Sequence, residues 1–215
     1  MLLLPLHDLP TRSASGFLIR YVVPRSIPPQ LAGPLDRKAL FSALTIGNVI
    51  IGVGHGDDAE FCGHNNQVVL DLSSIPDVEG KNIILISCET AKELGPALIA
   101  AGAESYIGFK EDLVWVMDAD ASMWPWGDKL AYPAMMPLVD CVNALLDGKT
   151  TGDAFNILTT ELTRNAGAEE DELIASCLRF NARNAVLLGN PAAHVPARPD
   201  VTLPLPPPPL PPFVL

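Results

Sequence analysis

His55 and Cys88 are the two side chains whose types and setting could carry out nucleophilic chemistry. An imidazole can take the proton of a thiol and leave a thiolate, the reactive form of cysteine. Each residue stands where an apolar run stops: Val49-Ile50-Ile51-Gly52-Val53-Gly54-His55-Gly56, and Ile83-Ile84-Leu85-Ile86-Ser87-Cys88-Glu89-Thr90. Short β-branched runs of this kind read as buried parallel strands. In an open α/β sheet, reactive groups gather at the carboxyl ends of the strands. Two neighbouring strands would therefore deliver both side chains to one sheet edge. A helix read over residues 89–103 would aim its N-terminus at Cys88 and lower the thiol pKa.

The remaining polar candidates cluster nearby. Residues 54–66 are glycine-rich and acidic, which predicts an exposed loop over the sheet edge. Asp57, Asp58 and Glu60 in this loop, with Glu111 and Asp112 further on, could form an acidic pocket for a basic substrate side chain, although Lys110 opposes it. His64 is a rival base, but it sits in the polar loop rather than at a strand end, so a solvated role is favoured. His55, Cys62 and His64 with Asp57 or Asp58 include zinc-ligand types. Their spacing fits no zinc pattern, and no metal or other cofactor is expected. His7 and His194 fall in irregular segments and read as surface residues, and Trp115 reads as core. Trp124 and Trp126 could line a substrate or partner surface, or simply pack within their loop.

These residues need a scaffold, and 215 residues suit one α/β domain. Hydrophobic residues make up 48% and charged residues 18%, which hints at a surface shared with another copy of the chain. A net charge of -11 argues against nucleic-acid binding. No run approaches the roughly 18 apolar residues of a membrane span. Met1-Leu2-Leu3-Leu4 lacks a basic start and is cut by Pro5, so no signal peptide is expected. Cys62, Cys88, Cys141 and Cys177 are widely spaced without a CxxC pair, which suits a reducing, cytoplasmic setting.

In chain order, residues 1–15 read as irregular, 16–23 as a strand and 24–34 as a proline-containing loop. A short helix is expected over 36–44, capped by Asp36. Strands follow at 48–53, 67–72, 81–87 and 105–109, with 113–117 extending the last or starting another. After a loop over 118–132, helices are expected at 135–146 and 152–165, a helical or irregular stretch at 169–181, and a closing strand at 185–188. Three parts result: residues 1–38, an N-terminal strand and loop packed on the core; 39–195, the catalytic domain; and 196–215, a proline-rich tail. The prolines of that tail favour polyproline II, which could lie on the body of the same or a neighbouring chain.

The ordered set of motifs resembles the caspase-like cysteine peptidases of clan CD, nearest their CHAT and gingipain-like branches. It comprises strand-His55-Gly56, strand-Ser87-Cys88-Glu89-Thr90, LGPALIAAGAESYIG at 94–108, LLDGKTTGDA at 145–154 and LLGNP at 187–191, where Asn190 stands in place of the usual Asp. The resemblance spans roughly residues 40 to 193. It implies a three-layer α/β fold with a mainly parallel sheet flanked by helices, and hydrolysis of peptide bonds through a His-Cys dyad. Cys88 would attack the carbonyl, His55 would manage the leaving amine, and the backbone N–H groups of Gly56 and Cys88 would stabilise the oxyanion. The residue two before the nucleophile helps several of these peptidases read the substrate side chain before the cleaved bond (P1) and is polar or acidic in them; here it is Ile86. The acidic residues named above then suggest a lean to basic P1. The other expectation is a caspase-like domain that no longer cuts and serves as an interaction or self-assembly module.

Overall fold

A computed structural model of the protein describes residues 1–25, 30–32, 37–44 and 47–197. The main sheet has six strands in the order β2 (Gln30–Ala32), β1 (Leu2–Leu4), β3 (Val49–Val53), β7 (Asn82–Ile86), β8 (Ser105–Phe109) and β9 (Ala185–Gly189). Neighbours are parallel, except that β9 runs antiparallel to β8. A small antiparallel sheet joins β4 (His55–Gly56), β5 (Glu60–Cys62) and β6 (Val68–Asp71).

Side chains of a strand alternate between the two faces of its sheet, and here both faces are buried. Leu2, Leu4, Ile51, Val53, Ile84, Ile86, Ile107 and Phe109 pack into one core. The helices over that face are α1 (Leu9–Tyr21), α4 (Tyr132–Leu146), α5 (Thr151–Ala168) and α6 (Glu172–Asn184). Leu3, Ile50, Ile83, Leu85 and Tyr106 point the other way. They meet α2 (Arg37–Ala43), α3 (Leu94–Ala100) and the small sheet through Leu40, Phe61, Leu70, Leu94 and Leu98. The result is a three-layer α/β fold with a mainly parallel central sheet.

Two expectations about the N-terminal region are overturned. Residues 2–4 form a strand, although 1–15 read as irregular, and 16–21 are the second half of a helix rather than a strand. The cause is local. Asp8 caps α1, its carboxylate accepts from the Thr11 N–H, and Pro10 occupies the first turn. Ala14, Phe17 and Leu18 then fall on one buried stripe. Capping and the 3.6-residue period outweigh the β propensity of the FLIRYVV run. Residues 30–32 form an edge strand within the stretch expected to be loop. Asp36, the expected cap of α2, and residues 198–215 of the tail lie outside the described residues.

Further along, α3 begins at Leu94, so the stretch after Cys88 is a series of turns. Residues 113–117 are not a strand but an extended strap. Asn181, fully buried on α6, holds it: the Val114 N–H donates to Asn181 Oδ1 at 3.0 Å, and Asn181 Nδ2 donates to the Val114 carbonyl at 2.6 Å. One side-chain amide thus replaces the neighbouring strand that this segment lacks. Residues 172–184 are helical throughout, with Asp171 as the cap. Residues 54–66, expected to be an exposed loop, instead supply β4 and β5 of the small sheet, because Phe61 is buried against the main sheet. The remaining strands and helices lie where the hydrophobic pattern put them, within a few residues.

Candidate active site

The register of β3 and β7 sets the site. Val53 pairs with Ile86, so His55 and Cys88 each follow two positions beyond paired residues at the carboxyl ends of neighbouring strands. The strand ends are in close contact. A Cβ built on Gly56 would lie 2.6 Å from Thr90 Cγ2 and 2.8 Å from the Cys88 carbonyl oxygen. Glycine at position 56 is what lets the two segments approach. His55 and Cys88 both line one cavity of about 280 Å³ at this edge.

His55 is held by Asp8. Its Nε2 lies 2.6 Å from Asp8 Oδ2. A carboxylate only accepts, so Nε2 carries the hydrogen and Nδ1 is left as the basic nitrogen. Burial works against ionisation of Asp8. Hydrogen bonds from Thr11 and His55 outweigh it and hold the carboxyl down at about 2. His7, read as a surface residue, instead has a largely buried side chain, with Nε2 3.2 Å from Asp8 Oδ2. Its ring stands edge-on to His55 and to His64, with centroids 5.9 and 5.3 Å away. His194 is exposed, as expected.

Cys88 is half-buried at a sharp turn. Glu89, the next residue, has φ +57°, a left-handed conformation that non-glycine residues seldom adopt. Such strain persists where the surroundings over-determine it, and it concentrates at functional sites. Here a buried hydroxyl chain supports the turn. Ser87 Oγ lies 2.9 Å from Thr90 Oγ1, which also accepts from the Tyr106 hydroxyl at 2.8 Å. Gly95 and Gly108 make room for the Tyr106 ring, since a Cβ at either would strike it.

The expected helix-dipole activation of Cys88 is absent, because α3 starts six residues downstream. Burial pushes the thiol up from its ordinary value. The Leu113 N–H pulls the other way, while nearby Asp112 and Glu89 add to the rise.

The other acidic candidates serve the surrounding loops. Asp57 Oδ1 accepts from the N–H groups of Ala59 and Glu60, at 2.8 and 2.9 Å. Glu60 accepts from Cys62 Sγ at 3.5 Å, and burial with these acidic neighbours pushes that thiol up to about 11. Lys92 pairs with Glu89 and Glu111 at 3.1 and 3.5 Å. Asp57, Asp58, Glu60, Glu111 and Asp112 are not among the residues that line the cavity. His7, Asp8 and His55 bring three possible metal-ligand atoms within 4.8 Å of one another. That cluster is not the Cys62–His64 set: His55 hydrogen-bonds Asp8 Oδ2, and His7 Nε2 lies 3.2 Å from the same oxygen.

Asp8, Thr90, Tyr106 and Asn181 are the site residues that sequence reasoning missed. Asp8 alone had a visible signal: an Asp three residues before Thr11, with Pro10 between them, is a helix-start pattern.

No family model and no curated protein matches the sequence. The fold is similar to a solved structure named "Structure of Protease", with a TM-score of 0.57 and 14% sequence identity over 90% of this chain. The chain spans 48% of that structure's length. At this identity the likeness is one of fold. Among the described residues, no helix is long and apolar enough to cross a membrane.

Proposed function

We propose that the protein is a caspase-like cysteine peptidase. The observation that carries this reading is the meeting of His55 and Cys88 in one cavity, with Asp8 bound to Nε2 of the imidazole. The fold shared with a structure named as a protease supports it. In the reaction, His55 Nδ1 takes the Cys88 proton as the sulfur bonds to the peptide carbonyl carbon. The C–N bond then breaks, and the same proton passes to the leaving amine. Water hydrolyses the thioester, releasing a carboxylic acid and restoring the thiol. The N–H groups of Gly56 and Cys88 are the proposed oxyanion donors, a role worth about 2.7–4 kcal/mol per donor.

Peptide-library cleavage by wild type and by Cys88→Ala and His55→Ala tests the reading. The expected result is cleavage reduced by at least about a thousandfold in each variant. Cleavage that survives in Cys88→Ala overturns it.

A second reading, a non-cleaving interaction module, draws on the burial that pushes the Cys88 thiol up from its ordinary value. Exposed Met123, Trp124, Leu130 and Tyr132 support self-association under either reading. The four free cysteines suit the proposed reducing, cytoplasmic setting.

A further inference from the structure

The cavity beside Cys88 has a wall chemistry that names a substrate class. Val53 and Ile86 line it from the strand ends, Pro10 and Ala14 from α1, and Leu113, Val114, Trp115 and Met117 from the strap. Apart from the reacting pair, the polar side chains that line it are Thr11, Ser87 and Trp115. Thr11 is engaged with Asp8 at 2.6 Å and Ser87 with Thr90 at 2.9 Å, while the buried indole N–H of Trp115 has no partner and could meet a neutral acceptor. Among the described residues, none that lines the space carries a carboxylate, ammonium or guanidinium, and Asp112 acts on the Cys88 thiol from outside the lining. A charged side chain entering it would lose water and find no counter-ion among the lining residues, which is costly. An apolar one would bury its surface at a gain of roughly 25 cal/mol per Å². At about 280 Å³, the cavity lies just below the small end of ligand pockets, roughly 300–1,000 Å³, and suits one side chain rather than an extended ligand.

We infer that this cavity is the P1 pocket and that it selects uncharged, apolar residues of the size of Leu, Met or Phe, in place of the basic residues that the acidic loops suggested. The inference rests on the peptidase reading above. Ile86 and the strap, which supplies four of the lining residues, then determine specificity.

Two measurements test it: cleavage of peptides that differ only at P1, and mass-detected labelling of Cys88 by peptidyl chloromethyl ketones with P1 Leu, Phe, Lys, Arg or Asp. The chloromethyl ketone alkylates the sulfur with loss of chloride, so it reports pocket choice without turnover. The expected preference is roughly tenfold or more for Leu, Met or Phe over Lys, Arg or Asp. Met117→Glu, in the strap's part of the lining, is expected to raise Lys and Arg relative to Leu. Cys88-dependent cleavage or labelling that favours a charged P1 overturns the inference and leaves the peptidase reading standing. Absence of both Cys88-dependent cleavage and Cys88 labelling overturns the peptidase reading, and the inference with it.

Discussion

The two oxygens of the Asp8 carboxylate do different work: Oδ1 accepts from Thr11 at the start of α1, and Oδ2 faces His55 Nε2 at 2.6 Å. Helix start and imidazole orientation therefore share one side chain, and substitutions can separate them. Serine also caps helices well but is too short to replace the second contact. Asp8→Ala is expected to lose about 1 kcal/mol of stability and much of kcat. Asp8→Ser is expected to keep most of the stability while kcat falls by about a hundredfold with KM little changed, within the range for acid–base assistance. Urea melts and steady-state kinetics on both variants check this. Full activity in Asp8→Ser would remove Asp8 from any positioning role.

The same carboxylate gives a pH signature. Its pKa in the folded chain, about 2, lies below the ordinary carboxylate value of 3.8. A lowered pKa stabilises the fold at pH values above 3.8, and that contribution disappears as pH falls through 2. Acid-unfolding curves of wild type and Asp8→Ala should separate at pH 5 and converge near pH 2.

Alkylation of Cys88 by iodoacetamide should climb with pH through and beyond the ordinary thiol range, because burial raises this thiol. Cys141 should lag far behind, being fully buried with its thiol pushed up to about 12. A fast, flat rate between pH 5 and 7 would instead reveal a resting thiolate–imidazolium pair.

Gly56→Ala probes the contact between the strand ends. The new methyl would press on the Cys88 carbonyl at 2.8 Å, a backbone atom with little room to yield. Overpacking of this kind costs about 1–3 kcal/mol. Thermal melts should show that loss, and peptide cleavage should fall more steeply than it does for Gly127→Ala, where a Cβ would meet open space.

Asn181→Leu keeps approximate volume but strips the Val114 N–H and carbonyl of their partners. Each buried backbone group left without one costs about 1–3 kcal/mol. Denaturant melts should record the loss, and discrimination among P1 side chains should flatten as the strap loosens.

What the sequence revealed about this molecule follows how local each signal is. The strands that carry His55 and Cys88 were visible because an inner parallel strand is apolar on both faces, and β3 and β7 are. The run at 16–23 misled because its residues favour strands, while the deciding cap at Asp8 lies outside the run. The helix expected at 89 failed because tertiary bonds capture the turn first: the Glu89 N–H reaches the Glu111 carbonyl and the Ala91 N–H the Phe109 carbonyl. Neither the Asp8–His55 contact nor the Asn181–Val114 clasp could be read, since they join residues 47 and 67 positions apart.

The clasp has a practical consequence for redesign. The segment it secures supplies four of the residues that line the cavity, whereas the reacting sulfur and imidazole sit at the ends of β3 and β7. Under the proposed reading, rebuilding residues 114–117, which leaves in place the Leu113 N–H beside the Cys88 thiol, offers a route to new preferences on a piece of chain separate from His55 and Cys88.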